Sequence, residues 1–166
     1  LEKDAGVSDP GKSGYLKYSG SGATGVVWVK DPLAAKVWEV SDDEGLENAL
    51  GSFRDGDTIK LMANINYNQG IAIDGKSFCL NLGNHTLDVV NNTGIGINIK
   101  DAILTVSGDG ELNATGTKGV QAQNSIISVY SATGTAGAGV EAFCAFDKSC
   151  GVTVTAHAQG TTAGVY

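Results

Sequence analysis

Among the residues of this chain able to do acid–base, nucleophilic or metal chemistry are eighteen carboxylates, two histidines, three cysteines and a single arginine, Arg54. Glycoside hydrolysis needs two carboxylates about 5–9.5 Å apart. A metal needs several donors converging on one point. The densest acidic runs are Asp42-Asp43-Glu44 and Asp109-Gly110-Glu111; they read as a helix start and a glycine turn before they read as calcium ligands. His85 and His157 fall at different positions of the repeat described below, with no second ligand in register, so no metal site and no cofactor are expected. Cys79, Cys144 and Cys150 have no metal-ligand spacing. Cys144 and Cys150 share one strand parity, which leaves two alternatives: a disulfide between them, or buried thiols acting as small hydrophobes.

A repeat positions these groups. Gly70, Gly96, Gly119, Gly139 and Gly164 stand 26, 23, 20 and 25 residues apart, a period at which repeat architectures are considered first. Each of the first four precedes an alternating triplet: Ile71-Ala72-Ile73, Ile97-Asn98-Ile99, Val120-Gln121-Ala122 and Val140-Glu141-Ala142. Second triplets follow at Leu80-Asn81-Leu82, Leu104-Thr105-Val106, Ile127-Ser128-Val129 and Val152-Thr153-Val154. Third ones follow at Leu87-Asp88-Val89, Leu112-Asn113-Ala114 and Ala156-His157-Ala158. The interval around Gly134-Thr135-Ala136-Gly137 shows no third member.

Period-two alternation puts the outer residues of each triplet on one face and the middle one on the other. Strands this short cannot hide an apolar face alone, but coils stacked at about 4.8 Å enclose a common core. The expected fold is all-β, a right-handed parallel β-helix (solenoid), with the flanking Ile, Leu and Val residues of the triplets buried in columns. Outward columns are then Ala72, Asn98, Gln121, Glu141; Asn81, Thr105, Ser128, Thr153; and Asp88, Asn113, His157. No column carries two carboxylates, so no catalytic residue is assigned within these coils.

Before the coils, Val37-Trp38-Glu39-Val40 alternates as a strand. Ser41-Asp42-Asp43-Glu44 reads as a capping box, and Leu46, Ala49, Leu50 and Phe53 fall on one helical stripe. An N-terminal capping α-helix over Ser41–Phe53 is expected to close the open end of the core. Residues 37–166 thus form the cap strand, the helix and four to five coils. Residues 1–36 form an arm, a hairpin of Tyr15-Leu16-Lys17-Tyr18 with Val26-Val27-Trp28-Val29 or a partly disordered segment.

Net charge is −7 and the lysines do not cluster, which disfavours nucleic acid, whose phosphates need a basic patch. No apolar run approaches the roughly 18 residues needed to span a bilayer, so no membrane insertion is expected. The chain starts without Met and stops in a fifth triplet, Gly164-Val165-Tyr166. It therefore reads as a fragment of a longer protein, with a C-terminal coil open to self-association.

The helix Leu46–Phe53, then Asp55-Gly56-Asp57-Thr58-Ile59-Lys60-Leu61, then Ile71-Ala72-Ile73-Asp74-Gly75-Lys76, then Leu80-Asn81-Leu82-Gly83-Asn84-His85-Thr86-Leu87, resembles the opening of pectin-lyase-like β-helices of bacterial cell-surface, adhesin-like proteins. The likeness has motif quality from Val37 to Leu87 and elsewhere is repeat pattern only. It implies the fold and a secreted or wall-attached bacterial protein more than an activity. Lyases of that group need calcium-binding carboxylates on neighbouring coils and a basic residue beside them; Arg54 sits by the capping helix, and none of their catalytic residues can be carried over.

The function expected is a non-catalytic module for adhesion, display or polysaccharide binding. Its candidate contacts are Asn81, Thr105, Ser128 and Thr153, with Asn98, Gln121 and Glu141; its partners are an extended polysaccharide or another surface protein. The alternatives are a polysaccharide lyase or hydrolase whose site lies in further coils, and a viral or phage fibre segment.

Overall fold

The computed structural model describes residues 7–8, 14–19, 26–31, 34–145 and 151–160. The chain divides into two compact units, Leu1–Ala35 and Lys36–Tyr166. In the first, β1 (Val7–Ser8), β2 (Tyr15–Ser19) and β3 (Val26–Lys30) form an antiparallel sheet in that order. Strands β2 and β3 pair as a hairpin and β1 pairs with β2; most of the rest of the arm lies outside the described residues. Lys17 stands opposite Trp28, its ammonium 5.9 Å from the ring centre.

The second unit is a parallel β-solenoid of about five turns. It opens with β4 (Val37–Val40) and helix α1 (Asp43–Ser52). The coils follow as β5 (Thr58–Leu61), β6 (Ile65–Tyr67), β7 (Ile71–Asp74), β8 (Phe78–Gly83), β9 (Thr86–Asn91), β10 (Ile97–Lys100), β11 (Ile103–Gly108), β12 (Glu111–Gly116), β13 (Val120–Gln123), β14 (Ile126–Gly134), β15 (Val140–Phe143) and β16 (Gly151–Gln159). Three faces result. The first stacks β4, β5, β8, β11, β14 and β16; the second stacks β6, β9, β12 and the later halves of β14 and β16; the third stacks β7, β10, β13 and β15. Every pairing in this unit is parallel. No helix among the described residues is long and apolar enough to cross a membrane.

Alternation explains the core. Ile71, Ile73, Leu80, Leu82, Ile97, Ile99, Leu104, Val120, Ile127 and Val129 are all buried, while Val106, Val140, Val152 and Val154 pack against them partly exposed. The columns shrink along the stack: Ile73 and Ile99 give way to Ala122 and Ala142, and Val89 to Ala114 and Ala132. The periodic glycines have a packing cause. A Cβ on Gly96 would lie 2.6 Å from the Gly119 carbonyl oxygen, and one on Gly119 would lie 2.6 Å from that of Gly139, so at this corner the coils touch backbone to backbone.

Two expectations are corrected here. The helix N-cap is Asp42 and not Ser41: Asp42 Oδ1 accepts from Gly45 N–H at 2.8 Å, with Asp43 and Glu44 in the first turn at the positive end of the helix dipole. Gly45 permits this, because a Cβ there would sit 2.9 Å from the capping oxygen. The third interval does hold a third member. It is Ser131-Ala132-Thr133, in register with Asn113-Ala114-Thr115 and continuous with the preceding strand in β14.

Helix α1 lies against β4 and β6. Leu46 and Ala49 are fully buried, Phe53 at the helix end packs on Phe78 with ring centres 4.6 Å apart, and Leu50 is only partly buried. Burying Leu46 and Phe53 contributes at most about 1.5–3 kcal/mol each, enough to hold a ten-residue helix that would be marginal alone.

Candidate functional site

On the first face the outward row runs Thr58, Cys79, Thr105, Ser128, Thr153, one residue per coil. The expected place of Asn81 in this row is a correction. Thr105 stands beside Cys79, and Asn81 stands two residues further along, between Lys60 and Ser107. Asn81 instead caps its own corner, its Oδ1 accepting from Gly83 N–H at 2.9 Å. Cys79 is a free thiol with its Sγ 3.4 Å from Ser107 Oγ. Cys144 is disulfide-bonded, and Cys150 lies outside the described residues.

The third face carries Ala72, Asn98, Gln121 and Glu141 in one row, as expected. Lys118 Nζ and Gln121 Nε2 both donate to Glu141 Oε2, each at 2.5 Å. These two hydrogen bonds, aided by the Lys118 charge, outweigh partial burial and hold the Glu141 carboxyl below the usual glutamate range. A carboxylate so paired is a fixed acceptor and not a proton donor at neutral pH.

The second face holds a row that sequence reasoning saw only in part: Asn66, Asp88, Asn113, Ser131 and His157. Ser131 Oγ donates to Asn113 Oδ1 at 2.6 Å, and Asn113 Nδ2 donates to Asp88 Oδ1 at 2.8 Å. Inspecting single columns also missed a diagonal. Glu111 stands opposite Thr86, so it and Asp88 occupy diagonal strand positions roughly 7–8 Å apart. One Asp88 oxygen is committed to Asn113. Among the described residues no three His, Cys, Asp or Glu side chains converge as a metal would require.

The carboxylate that alternation concealed altogether is Asp57, 1% exposed. Its Oδ1 accepts from Lys36 N–H at 2.7 Å; its Oδ2 accepts from Trp38 Nε1 at 3.0 Å and Arg54 N–H at 2.9 Å. Burial raises this carboxyl, but the three hydrogen bonds and the Arg54 charge outweigh it and leave it below the ordinary value. Asp57 ties the start of β4, the end of α1 and the start of β5 together; its role is structural. The signal in the sequence was the Asp55-Gly56-Asp57 turn directly after the helix.

Beside the first-face row is a groove of about 360 Å³ lined by Asp55, Gly56, Ser77, Cys79, Ile103 and Thr105, with Phe78 at its base. Comparison with family models, curated proteins and solved structures finds no match to this chain.

Proposed function

We propose that the solenoid unit is a non-catalytic module of a secreted or cell-surface protein that binds an extended polysaccharide along its first face. The observation that carries this reading is the row Thr58, Cys79, Thr105, Ser128, Thr153: five short polar side chains repeated once per coil on one face. Parallel stacking repeats them at about 4.8 Å. A polymer of similar units can engage such a row repeatedly, and weak contacts add by effective concentration where one alone would not hold. The resemblance to pectin-lyase-like β-helices of bacterial surface proteins supports the cell-surface setting. The fixed ion pair at Glu141 and the committed Asp88 support binding over catalysis.

Affinity electrophoresis through gels containing soluble polysaccharides tests the reading. The wild-type chain is retarded by at least one of them, and a Thr105→Val, Ser128→Val, Thr153→Val triple variant with unchanged melting temperature is not. Equal mobility of both proteins in every gel overturns it.

A further inference from the structure

The groove beside the row specifies what kind of sugar the face accepts. Its rim is polar on one side. Asp55 Oδ1 accepts from Ser77 N–H at 2.7 Å, and Ser77 Oγ accepts from Ile103 N–H at 2.9 Å, a bond that does not use the serine proton. Thr105 and Cys79 supply a hydroxyl and a thiol one coil apart. The apolar part is Ile103, 48% exposed, which continues beyond the groove into Ile126, 40% exposed, beside it on the next coil. Gly56, at φ +82°, has nothing within 4 Å of where a Cβ would be, so the mouth is open there. Apolar surface beside a few polar groups is the usual composition of a small-molecule site, and this volume lies at the low end of the range. A pyranose ring has that division, with C–H groups on its faces and hydroxyls around its edge.

Charge narrows the class further. Asp55 is the one carboxylate lining the groove, and no lysine or arginine lines it. The cations nearest in sequence or on the same face are not among its lining residues: Lys60 pairs with Glu39 at 3.2 Å, Lys76 Nζ lies 5.6 Å from the centre of the Phe53 ring, and the Arg54 charge helps to lower the Asp57 carboxyl. A uronate entering the groove would meet a carboxylate with no lysine or arginine among the lining residues, in a chain of net charge −7, and such like-charge contact is selected against at interfaces.

We infer that the groove is a subsite for one ring of a neutral or amine-bearing polysaccharide and excludes uronates. Asp55 accepts from ring hydroxyls or an ammonium, Ser77 and Thr105 donate to ring oxygens, and Ile103 with Ile126 carries the C–H face. The inference rests on the polysaccharide reading above and deepens it: the row gives repeated contact, and the groove gives the choice of sugar.

The test is calorimetric titration of the whole chain with tetramers of glucose, glucosamine and galacturonate, repeated on Asp55→Asn, Thr105→Tyr and Ser128→Val. Asp55→Asn keeps the acceptor for Ser77; Thr105→Tyr fills the groove from an exposed strand position. The glucose and glucosamine tetramers are expected to bind and the galacturonate tetramer not. At low salt the glucosamine tetramer should bind roughly threefold tighter than glucose, as one exposed charge pair allows, and Asp55→Asn should abolish that preference. Thr105→Tyr should weaken both about tenfold, the equivalent of about 1.4 kcal/mol, with unchanged melting temperature. Galacturonate binding as tightly as glucose overturns the subsite. Binding weakened by Ser128→Val but untouched by Thr105→Tyr also overturns it, and leaves the row standing. Absence of binding by all three tetramers, together with equal mobility in the polysaccharide gels, overturns both.

Discussion

Asp101 and Asn124 sit one above the other at the corner between the third and first faces, with φ of 48° and 49°, and Asn124 Nδ2 donates to Asp101 Oδ1 at 3.1 Å. Gly75 occupies the same corner one coil earlier with φ 67°, so the chain turns there through a column of left-handed residues. Short polar side chains tolerate that conformation because they bond locally. Asn124 Oδ1 also accepts from Ala145 N–H at 2.8 Å, which ties the column to the next coil.

Asn124→Ala is expected to destabilise the solenoid by about 1–2 kcal/mol, the cost of a left-handed L-residue, with an added loss from two hydrogen bonds. Asn124→Gly keeps the backbone and loses only the bonds. Urea denaturation should rank the midpoints wild type, Gly, Ala; an Ala variant as stable as the Gly variant would remove the backbone argument.

The Asp57 carboxyl titrates below its unfolded value, so its contribution to stability is complete above about pH 4 and is lost as pH falls through the folded value. Wild-type stability should therefore decline below pH 4 more steeply than that of Asp57→Asn. At neutral pH the Asn variant should be the weaker protein, since its amide meets the Trp38 and Arg54 donors with hydrogens; a buried donor left unpaired costs about 1–3 kcal/mol. Thermal melts across pH 3–7 measure both effects, and parallel curves for the two proteins would show that Asp57 does not titrate as described.

Leu46 is fully buried and Leu50 only partly so. Leu46→Ala should cost about 2–5 kcal/mol and Leu50→Ala clearly less, although both lie on the stripe read from sequence. Equal losses would mean that α1 is rotated relative to the placement described here.

Incubation with polygalacturonate, with or without calcium, is expected to release no unsaturated products. Product formation abolished by Asp88→Asn or Glu111→Gln would turn the diagonal carboxylate pair on the second face into a catalytic one and displace the binding proposal.

Strand parity was readable from the sequence because it depends on nothing but alternation. Register was not, because a slip of two residues leaves every side chain on its own face. The six-residue strand Phe78–Gly83 contains two overlapping triplets, Phe78-Cys79-Leu80 and Leu80-Asn81-Leu82, and alternation cannot choose between them. The left-handed corner at Gly75, Asp101 and Asn124 chooses, and it places Cys79 where Asn81 was expected. Ser131-Ala132-Thr133 escaped notice for a related reason: one apolar residue between two polar ones carries the inward position with a single methyl group. The groove was invisible for another, since Asp55, Ser77 and Ile103 belong to three successive coils and meet only when the register is known.

The corner between the first and second faces sets how far this rod could be lengthened. From the paired positions Leu104 and Ile127, the third coil takes nine residues to reach Asn113, while the fourth takes four to reach its partner Ser131. The second and third coils share a glycine corner, with Gly83 paired to Gly108; the fourth crosses it as one continuous strand and draws the contour inward over alanines. A duplicate of residues 101–123 begins and ends at the left-handed column, so spliced in frame it would extend the stack by one inter-strand step of about 4.8 Å. A duplicate of the fourth coil placed among the wider ones would leave a gap where the glycine corner should be. The fifth coil is tight as well, taking five residues from Val152 to His157, so the coils are of two widths and not interchangeable modules, and only the wider kind can serve as a template for longer variants.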